Sequence, residues 1–247
     1  MARCLRVFHS PVERGAVALR GETFAYVAVV HRARIGHRIE LFDGEGHTAI
    51  GTFVRFESDA AHVEITEIVA SSLALRPVRL VQCLSKGDKI DETLRDACEL
   101  GVKHVVVAEA ARSVRKLDEA GGTKLRERLS RVAAEAARQA LSPHVATVSG
   151  PAPLATAFGD GVEPLRLVLD PTGAAPFFDA LSAAPARAPL AIAVGPEGGF
   201  TASELAFALQ AGWTTVRLGT TVLRTETMAA AVLGALRAFD DTDSRDF

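Results

Sequence analysis

Two glycine-bearing stretches near the C-terminus hold the residues best placed for chemistry in this chain of 247 residues. One is Gly195-Pro196-Glu197-Gly198-Gly199. The other begins at Leu218-Gly219 and continues through Val222-Leu223-Arg224 into Thr225-Glu226-Thr227. Glycine tolerates turns closed to other residues and lets backbone approach a ligand. A lone glycine cluster serves any tight turn, so the first stretch by itself reads as an ordinary strand-to-helix junction. Its pairing with a second loop of the same kind makes a site built largely from backbone. Arg224 stands just before a helix start, where positive charge opposes the helix dipole. That placement points to an anionic partner, an RNA phosphate or a developing negative charge, against the plainer reading of a surface pair with Glu226. Glu197 and Glu226 are the carboxylates closest in sequence to the loops. Either could be a base, and Glu226 equally suits a helix N-terminus.

The loops need strands before them and helices after them, and the sequence supplies both. Leu190 to Val194 is a short apolar run of the kind buried in a sheet, and Thr201 with Glu204 has the spacing of a capping box opening a helix to Ala211. Thr214 to Leu218 is a second strand, followed by Glu226 to Phe239 as a helix with Thr225 as its cap. Upstream, strands are expected at Val78 to Leu84, Val102 to Ala108 and Leu165 to Leu169. Helices are expected at Asp88 to Leu100, stopped by Gly101, and at Thr123 to Leu141, stopped before Pro143. Strand and helix alternation implies a parallel sheet covered on both faces, with ligands at the carboxyl ends of strands. Before residue 70 the pattern differs. Leu5 to Phe8, Arg38 to Phe42, His47 to Phe56 and His62 to Val69 read as strands, with Asp43-Gly44 as a turn. Phe24 to Arg34 suits strand or helix. A linker at Ala70 to Pro77 divides a small β-rich domain, residues 1–72, from an α/β domain, residues 73–247.

Hydrophobic residues make up 48% of the chain, so a buried core is easily supplied. The net charge of −2 excludes a uniformly basic nucleic-acid coat but leaves room for a local basic face. Cys4, Cys83 and Cys98 are odd in number and without metal spacing, which fits reduced thiols in a cytoplasmic protein. No secretory signal and no apolar run of the roughly 18–20 residues that span a bilayer is present, so no membrane role is expected. The seven histidines are scattered, no metal is expected, and no nucleotide or serine-nucleophile motif occurs.

The loop motifs resemble those of the SPOUT, or trefoil-knot, methyltransferases, and within them the bacterial 16S ribosomal RNA uridine-N3 methyltransferases. Gly-Pro-Glu-Gly-Gly, Leu-Gly and Val-Leu-Arg-Thr-Glu-Thr stand as in that family. Ser85-Lys86-Gly87-Asp88-Lys89, Glu99-Leu100-Gly101-Val102, Arg112-Ser113-Val114 and Leu41-Phe42-Asp43-Gly44 extend the likeness over nearly the whole chain. The resemblance implies an N-terminal PUA-like β-barrel that binds RNA and a C-terminal knotted α/β domain. It also implies S-adenosylmethionine as cofactor and a homodimer acting on 16S rRNA or the small ribosomal subunit. Candidate cofactor contacts are then Leu169, Val194, Gly195, Pro196, Glu197, Gly198, Gly199, Leu218, Gly219, Val222, Leu223 and Thr225. Arg224, Glu197 and Glu226 are the catalytic candidates.

Basic residues cluster at Arg32, Arg34, His37 and Arg38, and again at Arg112, Arg115, Lys116, Lys124, Arg126, Arg128 and Arg131. Arg32, Arg34, Lys86, Lys89 and Arg112 are the RNA-binding candidates. A solvated helix face is the alternative for the second group, since Glu127 and Glu135 are interleaved. The chain departs from the family at Tyr26 and Val29, where a His and an Arg are usual, and at Asp96, where a Lys is usual. Arg138-Gln139-Ala140-Leu141-Ser142 replaces a Glu-Gln-x-x-Arg stretch. These positions lie on the expected RNA side and leave open another RNA target, ribose 2′-oxygen or another base, or a non-catalytic assembly role.

Overall fold

The computed structural model describes residues 4–71, 75–87, 89–114 and 116–243. Asp88, Arg115 and the expected domain boundary at residues 72 and 73 lie outside that set. The chain divides into two compact units. One comprises Met1–Leu73 with Ala137–Val145, the other Ala74–Ala136 with Ala146–Phe247.

The first unit carries a five-stranded sheet of β1 (Leu5–Phe8), β2 (Gly15–Arg20), β3 (Arg38–Phe42), β4 (His47–Phe56) and β5 (Ala60–Ala70). Strand order is β1-β3-β4-β5-β2. β1 runs parallel to β3 and the other pairs are antiparallel. The sheet is therefore mixed and open, with β1 and β2 as edges, where the sequence led us to expect a closed barrel. Val7, Leu19, Ile39, Leu41, Phe53 and Val63 form its core. β2 escaped the sequence reading because Ala16-Val17-Ala18 has little of the β-branched and aromatic content that marks strands. The ambiguous Phe24 to Arg34 stretch is helical only as far as Val30: a short α1 (Gly21–Phe24) passes into a π-helical turn, Ala25–Val30, and residues 31–34 are irregular.

Residues 137–145 join this unit through Arg6. Its guanidinium is buried and donates to the carbonyls of Ala137 at 3.0 Å and Ser142 at 2.9 Å, while pairing with Glu40 at 2.8 Å. Val145 N–H adds a bond to Gly44 O at 2.9 Å. The sequence places this segment in the α/β domain, because nothing local marks a helix end that is satisfied by an arginine more than 130 residues earlier.

The second unit is a seven-stranded sheet in which every pairing is parallel. It contains β6 (Val78–Cys83), β7 (His104–Glu109), β8 (Thr147–Pro153), β9 (Leu165–Leu169), β10 (Ala175–Pro176), β11 (Leu190–Val194) and β12 (Thr214–Arg217), in the order β10-β12-β9-β11-β6-β7-β8. β6 and β11 lie at its centre and are buried along their whole length, as near-continuous apolar runs in a doubly covered sheet should be. The helices are α2 (Lys89–Glu99), α3 (Glu119–Gln139), α4 (Leu154–Gly159), α5 (Phe177–Ser182), α6 (Ala202–Gln210) and α7 (Thr225–Asp243). α3 begins four residues ahead of the expected Thr123. Asp118 Oδ1 accepts Gly121 N–H at 2.8 Å, a cap that offsets the two glycines in the first turn.

β12, β9 and β11 are neighbours, so the loops after β11 and β12 flank the carboxyl end of β9. This places Leu169 and Asp170 between the two glycine motifs. α7 carries an apolar stripe of Met228, Ala229, Val232, Leu233 and Leu236. It is buried within the single chain. Its far end is anchored by Arg76 on Asp240 at 2.8 Å and by Arg237 on the carbonyls of Leu100 and Gly101 at 2.7 and 2.8 Å.

Candidate cofactor site

The first loop leaves β11 at Val194 and turns back at Gly199, whose φ of +67° demands a residue without Cβ strain. It ends in the expected capping box. Glu204 N–H donates to Thr201 Oγ1 at 3.2 Å, and Thr201 N–H to Glu204 Oε2 at 2.7 Å. A Cβ at Gly195 would press on the Phe200 ring at 3.1 Å. Neighbouring connections brace the loop. Arg112 Nη1 donates to Gly198 O at 2.7 Å, Ala111 N–H to the other Glu204 oxygen at 2.8 Å, and Lys86 N–H to Glu197 Oε1 at 3.0 Å.

The second loop passes Gly219, at φ +71°, and enters α7. Arg224 O accepts the first helical bond, from Met228 N–H at 2.8 Å, so Arg224 is the residue at the cap position. Thr225, expected there, is one residue inside the helix. Its hydroxyl is spent on the first loop, donating to Gly195 O at 2.6 Å.

A cavity of about 340 Å³ opens between the loops, lined by Leu169, Asp170, Pro171, Val194, Gly195, Pro196, Glu197, Gly199, Phe200, Val222, Leu223, Arg224, Thr225, Met228 and Lys89. A second, of about 260 Å³, adjoins it across Asp170, Pro171 and Met228 and is lined by Arg217, Leu218, Gly219, Thr220 and Thr221. Of the candidate cofactor contacts, Gly198 alone faces neither cavity: its Cα side is closed by the Arg112 side chain at 3.2 Å. Asp170, Pro171, Phe200 and Met228 were missed by the sequence reading. Asp170 was recoverable, as the first residue after a strand that the sequence identified correctly. Met228 was not, since a methionine on a helical stripe reads as core.

The charges are unevenly engaged. Lys89 Nζ lies 2.9 Å from Glu226 Oε1. That hydrogen bond, together with the backbone N–H of Glu226 itself, holds the Glu226 carboxyl below its ordinary range, with the nearby charges of Lys89 and Arg224 acting in the same direction. A carboxylate so stabilised is a poor proton acceptor near neutral pH. The Arg224 side chain is exposed and, among the described residues, has no hydrogen-bond or ion-pair partner. The mixture of apolar walls, two glycines whose Cβ directions are open (Gly199 and Gly219), and separated anions and cations fits a small molecule with an aromatic part and a zwitterionic part. The main cavity's size falls in the range of roughly 300–1,000 Å³ usual for such ligands.

The remaining candidates are dispersed. Lys86 is exposed and contributes only its backbone to the site, Lys89 is paired, and Arg112 serves the first loop. Arg32, at φ +50°, and Arg34 are exposed in the first unit. Tyr26 and Arg138, two positions where the sequence departs from its family, touch one another. The Arg138 guanidinium lies 4.9 Å from the Tyr26 ring centroid and hydrogen-bonds its hydroxyl, and His31 packs edge-on against the same ring at 4.5 Å. Val29 is 67% exposed, and Asp96 is half-buried on α2.

The fold, the two loops and the cavity between them are those of an RNA methyltransferase: the RNA methyltransferase domain model matches residues 72–237, and the chain belongs to that family. The ribosomal RNA small subunit methyltransferase E of Mycobacterium bovis is 33% identical, across 91% of this chain and 87% of its own length. That of Bacillus subtilis is 29% identical across 91% and 90%. Among solved structures, a Legionella pneumophila methyltransferase with bound SAM superposes with a TM-score of 0.88 at 26% identity, covering 96% of this chain and 98% of that one. The Neisseria gonorrhoeae ribosomal RNA small subunit methyltransferase E bound to S-adenosyl methionine gives 0.86 at 26%, with the same coverage.

Proposed function

We propose that this protein transfers a methyl group from S-adenosylmethionine to N3 of a uridine in 16S rRNA of the small subunit. The observation that carries the reading is the cavity closed by both glycine loops, with Arg224 unpaired at its edge. The cofactor, when bound, supplies a methyl group already activated by positive sulfur. The protein's task is then to position the acceptor and to favour loss of the N3 proton to water, since the N3 lone pair is unavailable while that proton remains. Arg224 stabilises the negative charge that spreads over N3, O2 and O4. Leu169, Val194, Leu223 and Met228 supply apolar walls for the cofactor, while Asp170, Glu197 and Lys89 offer charge to its polar ends.

In this reading the N-terminal unit is a PUA-like module that grips RNA, with Arg32 and Arg34 as phosphate contacts. The α/β unit is knotted near its C-terminus, and the enzyme works in the cytoplasm as a homodimer; light scattering that returned the mass of one chain at micromolar concentration would remove the dimer. No helix among the described residues is long and apolar enough to cross a membrane. The Tyr26–Arg138 contact favours one second reading, in which the same cofactor serves another acceptor on RNA, a ribose 2′-oxygen or another base. The test is incubation with small ribosomal subunits and methyl-labelled cofactor, then nucleoside separation. Label in 3-methyluridine supports the proposal. Label in a 2′-O-methyl nucleoside or another base moves it to the second reading, and no incorporation rejects both.

A further inference from the structure

We infer that Gln82, a residue with no face on the cavity, is a positioning residue for the cofactor site, acting through the hydroxyl of Thr225. Gln82 sits near the carboxyl end of the central strand β6 and is 1% exposed. Its Nε2 donates to Cys83 O at 3.2 Å and to Thr225 Oγ1 at 3.1 Å. The carbonyl of Cys83 can only accept, so the amide nitrogen must face it, and the same nitrogen then faces Thr225. A hydroxyl carries one proton. With Gln82 donating to its oxygen, the Thr225 proton is directed to Gly195 O, at 2.6 Å.

The result is an ordered chain, Gln82 to Thr225 to Gly195, that joins β6, the first turn of α7 and the first glycine loop. Both loops of the cavity are fixed through it, because Thr225 continues directly from Arg224 and Gly195 begins the other loop. The opposite amide orientation would set Oε1 against the Cys83 carbonyl and turn the Thr225 proton toward Gln82, leaving Gly195 O without its donor. Gln82 Oε1 is buried and makes no hydrogen bond. An unmade bond at a buried oxygen costs stability. The amide therefore earns its place by aiming its other end. A methionine of similar length would fill the space without that cost, so packing alone does not account for an amide here.

The inference rests on the reading of the cavity as the cofactor site, and the experiment separates the two. Calorimetric titration of S-adenosylmethionine into the full-length natural protein comes first; absence of binding there overturns the cofactor reading and this inference with it. Given binding, Thr225→Val, which keeps shape and loses the hydroxyl, should weaken affinity roughly tenfold, the worth of about one buried hydrogen bond. Thr225→Ser should restore it. Gln82→Met should weaken affinity to a similar extent, and Gln82→Glu as well, because a carboxylate would draw the Thr225 proton away from Gly195. The double variant Gln82→Met with Thr225→Val should lose little beyond either single change, since both act through one chain. The Michaelis constant for RNA should stay unchanged throughout. Unchanged cofactor affinity in Thr225→Val, failure of Thr225→Ser to restore it, or single losses that multiply in the double variant would each overturn the chain. If Gln82→Met does not fold, Gln82→Glu, which keeps the side-chain length, decides: cofactor affinity equal to that of the natural protein overturns the chain.

Discussion

Lys89 Nζ and Glu226 Oε1 meet at 2.9 Å, an ion pair that ties the first turn of α2 to the first turn of α7 at the wall of the cavity. The pair favours a structural role for Glu226 over that of a base. The Glu226 carboxyl titrates below its ordinary range, chiefly through the hydrogen bond from Lys89 and then through its own backbone N–H. Stability from a depressed carboxyl is present above the unfolded-state value and is lost as pH falls through the folded-state value. Glu226→Gln should therefore lower the melting temperature by ~1–2 °C at pH 7, a modest effect because Lys89 is more than a third exposed. The difference should shrink below about pH 4. The turnover rate of this variant should stay close to that of the natural protein. A pH–rate profile that loses an inflection in Glu226→Gln would return the residue to the list of bases.

Arg112, a candidate RNA contact, is bonded to Gly198 O through Nη1, with its aliphatic stem packed against the same glycine. Arg112→Ala should then weaken cofactor binding by roughly three- to tenfold, as loss of one charge-assisted hydrogen bond on a partly exposed loop would. It should leave the salt dependence of RNA binding unaltered. Filter binding over a range of salt checks this: a shallower slope in the variant would mean that Arg112 neutralises a phosphate after all.

Local pattern made the loop-bearing half of the fold legible. Leu190–Val194 and Leu165–Leu169 are apolar runs of strand length, and Thr201 with Glu204 announces a helix start through short-range hydrogen bonds that sequence spacing encodes. What stayed hidden depends on distant partners. β8 contains Gly150-Pro151, a pair that reads as a turn, yet it is an edge strand pairing only with β7, where proline is tolerated. α4 and α5 have six residues each, too short to show helical periodicity. The burial of the α7 stripe, the bond from Arg112 to Gly198 and the contact between Tyr26 and Arg138 are tertiary facts that composition does not carry. The site was named largely by its motifs. Asp170 could be read from the end of β9, whereas the Gln82 to Thr225 connection needed the strand order β12-β9-β11-β6 to become visible.

Arg224 should matter for turnover rather than for holding the cofactor. As a guanidinium at the cavity edge without a partner among the described residues, it can meet the uracil anion, and Arg224→Ala should slow single-turnover transfer roughly 10²–10³-fold, the range for losing one such donor. Calorimetric affinity for the cofactor should barely move. If the guanidinium grips only RNA phosphate, saturating RNA will restore the rate and the defect will grow with salt. A natural rate at saturating small subunits would therefore refute the catalytic role.

The central claim is that this chain places a methyl group on N3 of a uridine in 16S rRNA. Mass spectrometry of nucleosides from purified 16S rRNA of a strain lacking the gene tests it most directly. The account predicts that 3-methyluridine disappears, returns when the natural chain is supplied, and stays absent when Arg224→Ala is supplied. An unchanged 3-methyluridine content in the deletion strain, with a different methylated nucleoside missing, would contradict it.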